Sequence, residues 1–271
     1  MGLLGAIVKK ARIFIKKYSY SPYGWKGNYP GWKAAMQDCN GYNAGNILEK
    51  VKNATFLANQ SNDSLYERDS VLFDKPEYSF PLLSYLLLAE ISSPKNLNVI
   101  DFGGSLGSSY RQYQLFLKRL ENVRWNVVEQ ADFVAAGNKY FSDENLKFFP
   151  SIDACVSHEG KPDILVISCT LPYLEYPYQI LNEIINHKIR YIVIDNTPFN
   201  FVDKDRITVQ KVNPLIYEAS YPCWFLSYEK VKKQICEHYS ILAEHMNESV
   251  IYLDGRAIRY QGFLAELKAT K

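Results

Sequence analysis

The chain is poor in the residues that metal and disulfide chemistry require. Its four histidines stand apart from one another. Its five cysteines (Cys39, Cys155, Cys169, Cys223 and Cys236) form an odd set with no CxxC pair. No histidine–cysteine spacing of the zinc type occurs, so reduced thiols and a metal-independent chemistry are expected. An excess of one charge is also missing. Lys and Arg total 31 against 29 for Asp and Glu, a net charge of +2, which excludes a dedicated nucleic-acid binder. The longest strongly apolar stretch, Pro81 to Ala89, is about half of what a bilayer crossing needs, so no transmembrane helix is expected. The apolar start of the chain lacks both a preceding charged region and a small-residue cleavage site, which argues against a secretory signal. Met1-Gly2 is followed by Ala6 where an acylation signal wants Ser or Thr. A cytoplasmic protein is expected.

What is present is enough apolar residue for a sizeable core: 47% of 271 residues are hydrophobic and 22% are charged. The length suits one large α/β domain with an extension. In residues 1–17, Leu3, Leu4, Ile7, Val8, Ala11, Phe14 and Ile15 make one helical stripe, with Lys9, Lys10, Arg12, Lys16 and Lys17 clustered mostly elsewhere. Such a basic amphipathic helix suits either an anionic membrane surface or docking on the domain. We divide the chain into residues 1–24 (helix and linker), 25–95 (a helical cap or lid) and 96–271 (a Rossmann-like catalytic domain). The aromatic, Gly- and Pro-rich segment from Ser19 to Trp32 reads as irregular, Ala34 to Asn59 as helical, and Pro81 to Ile91 as a further helix.

Beyond Pro94 the pattern changes. Short apolar runs at Asn98–Phe102, Trp125–Glu129, Lys147–Phe149, Asp163–Ser168 and Tyr191–Asp195 alternate with amphipathic segments near Tyr110–Leu120, Ala131–Tyr140, Ile152–Ser157 and Tyr178–Asn186. That alternation predicts parallel βαβ units with helices on both faces. Ser240–His245 and Gly262–Leu267 are expected to close the sheet as a terminal hairpin.

The most informative string is Asp101-Phe102-Gly103-Gly104-Ser105-Leu106-Gly107. An apolar strand runs into a carboxylate, and glycines then open a helix. Glycine permits positive φ and close approach of a ligand to backbone, at the position where doubly wound sheets bind cofactors. The dinucleotide pattern GxGxxG fails at Ser105 and Ser108, which disfavours a pyrophosphate. A carboxylate at Asp101 suits an ammonium group instead, directly or through water. Glu129, ending the next strand, suits the two hydroxyls of a ribose. Together they point to S-adenosylmethionine. Gln130, Ser151 and Ile152 are expected beside the adenine, with Ser168, Thr170 and Leu171 at the same rim beneath the sulfonium. An ordinary α/β sheet shaped by glycine turns and strand-terminal acids is the alternative.

The segments Trp25-Lys26-Gly27-Asn28-Tyr29, Tyr66-Glu67-Arg68-Asp69-Ser70, Asp101 to Tyr110, Trp125 to Gln130 and Tyr221-Pro222-Cys223-Trp224 resemble a family of S-adenosylmethionine-dependent methyltransferases associated with bacterial lipopolysaccharide and capsule gene clusters. The resemblance spans about Trp25 to Leu267. It implies a class I (Rossmann-like) methyltransferase fold, a seven-stranded mostly parallel sheet with helices on both faces. It also implies S-adenosyl-L-homocysteine as product and a glycan or lipid-linked glycan as acceptor, and it leaves the acceptor's identity open.

A sugar hydroxyl is a weak nucleophile at neutral pH and benefits from a general base. Asp195, at the end of the fifth strand, is the first candidate, with Asp69 and Glu67 in a charged aromatic patch as the second group. Arg68, Tyr78, Tyr110, Arg206, Tyr221 and Trp224 are candidates for acceptor binding. His187 and His158 read as structural, and neither His238 nor His245 ranks above Asp195. An NAD-dependent or nucleotide-sugar Rossmann enzyme and a catalytically silent cofactor-binding protein are the competing readings.

Overall fold

A computed structural model describes residues 22–39, 44–61, 64–93 and 96–269. The amphipathic stretch 1–17 lies outside the described residues. The strands are β1 (Gly24–Tyr29), β2 (Tyr66–Arg68), β3 (Val71–Phe73), β4 (Asn98–Phe102), β5 (Arg124–Val128), β6 (Leu146–Phe149), β7 (Ile164–Ser168), β8 (Tyr191–Pro198), β9 (Arg206–Lys211), β10 (Ser220–Phe225), β11 (Tyr239–Leu253) and β12 (Arg256–Leu267). The helices are α1 (Trp32–Gln37), α2 (Ala44–Gln60), α3 (Phe80–Ser92), α4 (Ser108–Gln112), α5 (Gln114–Leu117), α6 (Ala131–Tyr140), α7 (Ile152–Glu159), α8 (Pro177–Asn186) and α9 (Tyr228–Cys236).

Seven strands form the main sheet in the order β11-β12-β8-β7-β4-β5-β6. β4 to β8 run parallel, while β12 is antiparallel to both β8 and β11. This is the doubly wound architecture of parallel βαβ units, closed by a terminal antiparallel hairpin, that the sequence predicts. The central strands are apolar on both faces because helices cover both. Alternate residues feed opposite cores: Val99, Ile164 and Val193 join Leu82, Leu86 and Trp125 on one face. Ile100, Leu165 and Ile192 join Leu181, Ile184 and Val231 on the other. Ser79, Ser151 and Ser227 cap α3, α7 and α9 by accepting from the N–H groups of Leu82, Ala154 and Lys230. β4 lies between β5 and β7, so the chain winds away from it in both directions and leaves a crevice at its carboxyl end.

Two regions depart from expectation. Gly24–Tyr29 is a strand and not an irregular linker: it pairs antiparallel with β9, which pairs with β10 in a separate three-stranded sheet. Ala34–Asn59 forms two helices, α1 and α2, in place of one. Within residues 25–95, Ile47, Val51, Leu82 and Leu86 share one core with the sheet. Within that region β2 and β3 form a hairpin with Asp69 and Ser70, both at positive φ, at its tip. Among the described residues no helix is long and apolar enough to cross a membrane.

Candidate active site

The turn after β4 takes positive φ at Gly103 (76°), Ser105 (55°) and Gly107 (85°). Its glycines make room for the protein's own side chains. A Cβ on Gly103 would lie 2.4 Å from Thr170 Cγ2 and Oγ1, one on Gly104 would lie 2.5 Å from the Asp101 carboxyl, and one on Gly107 would meet Leu146. Thr170 is fixed in that position by donating to the carbonyls of Phe102 (3.0 Å) and Ser168 (3.1 Å).

Asp101 is only 2% exposed, so it supports the turn from beneath and does not face the crevice. Direct contact with a ligand's ammonium group is thereby excluded in this conformation, which leaves the indirect route. Its Oδ2 accepts from Trp125 Nε1 at 3.1 Å. Burial pushes its carboxyl up to about 7; the indole donor opposes this and the Glu129 charge adds to it. Glu129 stands at the adjacent strand end with Oε2 accepting from the Gln130 N–H at 2.7 Å. Burial raises its carboxyl as well, against backbone donation from Gln130 and Ser105. Gln130 itself is exposed, at the start of α6.

Two expected adenine and rim contacts are corrected by burial: Ile152 and Leu171 are core residues with no surface to offer. Ser151 is occupied as the cap of α7. Ser168 remains at the rim, its hydroxyl 3.4 Å from Asp195 Oδ2.

Asp195 lies on β8 opposite Ser168, the last residue of β7, and is 2% exposed. Its Oδ1 meets His245 Nε2 at 2.8 Å and accepts from Ser79 Oγ at 3.2 Å. The other imidazole nitrogen, Nδ1, is 3.1 Å from the Tyr85 hydroxyl. His245 was not singled out from sequence. The signal was there in the expected terminal hairpin, whose register sets His245 opposite Gly262.

The three candidates in the β2–β3 hairpin separate clearly. Glu67 is buried: Oε1 accepts from the Ser70 N–H at 2.8 Å and Oε2 from Ser108 Oγ at 2.6 Å. It therefore pins the hairpin tip to the start of α4 and is no catalytic group. Arg68 donates to Glu77 Oε2 (3.0 Å) and to Gln112 Oε1 (3.0 Å). Asp69 keeps solvent access at the tip. Surrounding protein still raises its carboxyl by desolvation, with Arg68 pulling the other way. Its charge raises the Cys169, Tyr217 and Tyr260 groups, which places a tyrosine wall within electrostatic reach of the hairpin tip. In that wall Tyr173 donates to Gln210 Oε1 at 2.9 Å and packs edge-on against Tyr221, while Tyr217 and Tyr221 hydroxyls meet at 3.1 Å. Burial pushes the Cys169 thiol up to about 12, with Asp69 and Asp195 adding to the effect.

Four of the expected acceptor contacts lie elsewhere. Tyr110 is buried against Trp125. Arg206 donates to the Gly27 carbonyl and pairs with Asp254 at 2.5 Å. It is four residues along β9 from Gln210, about 13 Å of strand. Trp224, opposite Ile207, stacks on Trp32 and donates to the Leu174 carbonyl. Tyr78 packs on Phe80, Tyr113 and Phe116. Tyr221 is buried opposite Gln210 on β9, with its hydroxyl on Tyr217. Among the described residues no three His, Cys, Asp or Glu side chains come together as a metal site.

No protein-family model matches the chain. No curated protein matches it either. Solved structures with a similar fold include the N-terminal domain of EvdMO1 in the presence of SAH and D-fucose (9% identity, TM-score 0.47, 84% of this chain and 98% of that one). Another is the glycopeptide N-methyltransferase MtfA complexed with S-adenosyl-L-methionine (11% identity, TM-score 0.47, 67% and 92%). A third is magnesium protoporphyrin IX methyltransferase (ChlM) from Synechocystis PCC 6803 with bound SAM (13% identity, TM-score 0.43, 70% and 79%).

Proposed function

We propose that the chain is an S-adenosylmethionine-dependent O-methyltransferase acting on a hydroxyl of a bacterial surface polysaccharide or its lipid-linked precursor. The observation that carries this is the placement of the glycine turn after β4, with Asp101 beneath it and Glu129 at the end of the neighbouring β5, at the switch-point crevice. The donor set fits the cofactor. The Glu129 carboxylate, half-buried at the strand end, suits a ribose diol, the turn suits close approach of the amino-acid end, and Asp101 offers indirect support to an ammonium group. When bound there, the cofactor supplies an electrophilic methyl group and leaves as S-adenosyl-L-homocysteine.

The residues of this chain do the rest. Tyr173 and Tyr260, both half-buried, offer aromatic surface to a polar, hydroxyl-rich acceptor. Asp69 is the accessible carboxylate on that wall, and we assign it the acceptor's proton, because a base must reach the group it deprotonates. Asp195 is shut from solvent and occupied by His245 and Ser79, so it acts by positioning. Orientation of the two reactants supplies most of the barrier reduction, on the order of several kcal/mol. The basic stretch 1–17 is proposed to bring the enzyme to an anionic membrane surface where such acceptors reside.

Tritiated-methyl cofactor incubated with fractionated lipid-linked glycans and the full chain tests the reading. Label in a glycan fraction, absent with Asp69→Asn, supports it. Cofactor binding without label in any glycan fraction, or label confined to protein or nucleic acid, contradicts the acceptor class.

A further inference from the structure

A groove of about 500 Å³, in the size range of small-ligand sites, runs between the β2–β3 hairpin and the α4–α5 segment, and the function proposed above does not use it. Tyr66, Tyr78, Gln112, Arg111, Lys118 and Arg119 line it, and no carboxylate is among its lining residues. Among the described residues none of these three cations makes an ion pair. Of the nearby acids, Glu77 pairs with Arg68, Glu67 accepts from Ser108 and Ser70, and Asp143 accepts from the N–H groups of Asn145 and Leu146, while Glu144 lies in the adjoining cavity that Lys118 also lines.

Arg111 is the most telling member. Its Nη2 donates to the Phe141 carbonyl at 3.3 Å, yet its Nε–H is buried without any acceptor. A buried guanidinium donor left unpaired is costly, and burial lowers this group's affinity for its proton despite the Asp143, Tyr110 and Glu67 charges around it. Arg119 uses only Nε, on the Leu115 carbonyl at 3.2 Å. The ordinary role of cations at a helix C-terminus accounts for Lys118 and Arg119 singly. It does not account for Arg111, one helix earlier, converging on the same groove with two tyrosines and Gln112.

We propose that this groove binds a diphosphate-bearing group, with Arg111 and Arg119 as planar forks on phosphate oxygens, Lys118 as a point charge, and Tyr66 and Tyr78 flanking the attached organic moiety. This inference stands apart from methyl transfer, because the binding is read without cofactor or turnover. The shared chemistry, a diphosphate on an organic carrier, has two sources: a soluble nucleotide-linked compound or a lipid.

The test is calorimetric titration of the full chain with inorganic pyrophosphate at low salt. Binding that weakens at least tenfold in the double variant Lys118→Ala/Arg119→Ala, and several-fold in Arg111→Lys, is expected. A control pair at exposed cations elsewhere, Lys161→Ala/Lys188→Ala, leaves it unchanged. Displacement of pyrophosphate by uridine diphosphate but not by an isoprenyl diphosphate in vesicles identifies the soluble source, and the reverse identifies the lipid source. Equal weakening in the control pair, no weakening in the groove variants, or pyrophosphate that neither competitor displaces overturns the assignment.

Discussion

His245 Nε2 reaches Asp195 Oδ1 at 2.8 Å across an intervening strand. His245 is on β11 and Asp195 on β8, and β12 lies between them. Two strand spacings are nearly 10 Å, so the imidazole must pass over β12, and it does so at Gly262. A Cβ there would lie 2.5 Å from His245 Cε1 and 2.3 Å from the Ile194 carbonyl oxygen. The glycine serves close packing and not a special φ.

Gly262→Ala is therefore expected to destabilise the fold by about 1–3 kcal/mol through overpacking. It should also be non-additive with His245→Ala, which removes one of the two clashes but leaves the backbone oxygen. Urea denaturation of the two single variants and the double variant measures this. Simple additivity contradicts the proposed crossing.

Asp101 makes stability depend on pH in a definite direction. Its carboxyl titrates near 7 in the folded protein against an ordinary value of 3.8. Between these values the native state holds the extra proton, so its contribution to stability falls as pH rises and is fully lost above about 7. Asp101→Asn removes that loss. The stability difference between Asp101→Asn and the parent should grow in favour of the variant from about pH 4 to about pH 8, by an amount on the order of a few kcal/mol. A pH-independent difference contradicts the buried, weakly solvated carboxylate described above.

Glu67 is expected to hold the hairpin and not to exchange protons with the acceptor. Glu67→Ala leaves the Ser70 N–H and Ser108 hydroxyl without their partner, at a cost of about 1–3 kcal/mol. Hydrogen exchange should accelerate in residues 66–73 far more than in β4 or β7. Uniform acceleration across the sheet indicates a role in the global core instead.

Asp69 carries the proposed acid–base role, so Asp69→Asn should abolish turnover while leaving cofactor affinity within about twofold. Because desolvation raises its carboxyl, kcat in the parent should fall with decreasing pH above the ordinary carboxylate range. Retention of turnover in Asp69→Asn, with loss in Asp195→Asn alone, moves the base to Asp195.

Much of the fold was legible because period and punctuation agreed. Asn98–Phe102 and Ala131–Tyr140 have the boundaries expected from sequence, since apolar continuity and glycine or acid stops mark both ends. β1 was illegible because Trp25-Lys26-Gly27-Asn28-Tyr29 has turn-like composition and becomes a strand only by pairing with β9, some 180 residues away. In the site, the glycine turn and Glu129 could be read locally. The different fates of Glu67 and Asp69, two residues apart, could not. They depend on which carboxylate turns toward Ser108 and which toward Cys169, a consequence of the tight hairpin tip. Arg206 and Trp224 were drawn away from the cleft by partners distant in sequence, Asp254 and Trp32.

The most direct test of the central claim is calorimetric titration of the full chain with S-adenosylmethionine and S-adenosyl-L-homocysteine, alongside Glu129→Ala. Saturable binding of both, weakened at least tenfold by Glu129→Ala with the folded state intact, is the predicted result. No binding, or equal affinity in the variant, contradicts a nucleoside site at the end of β5.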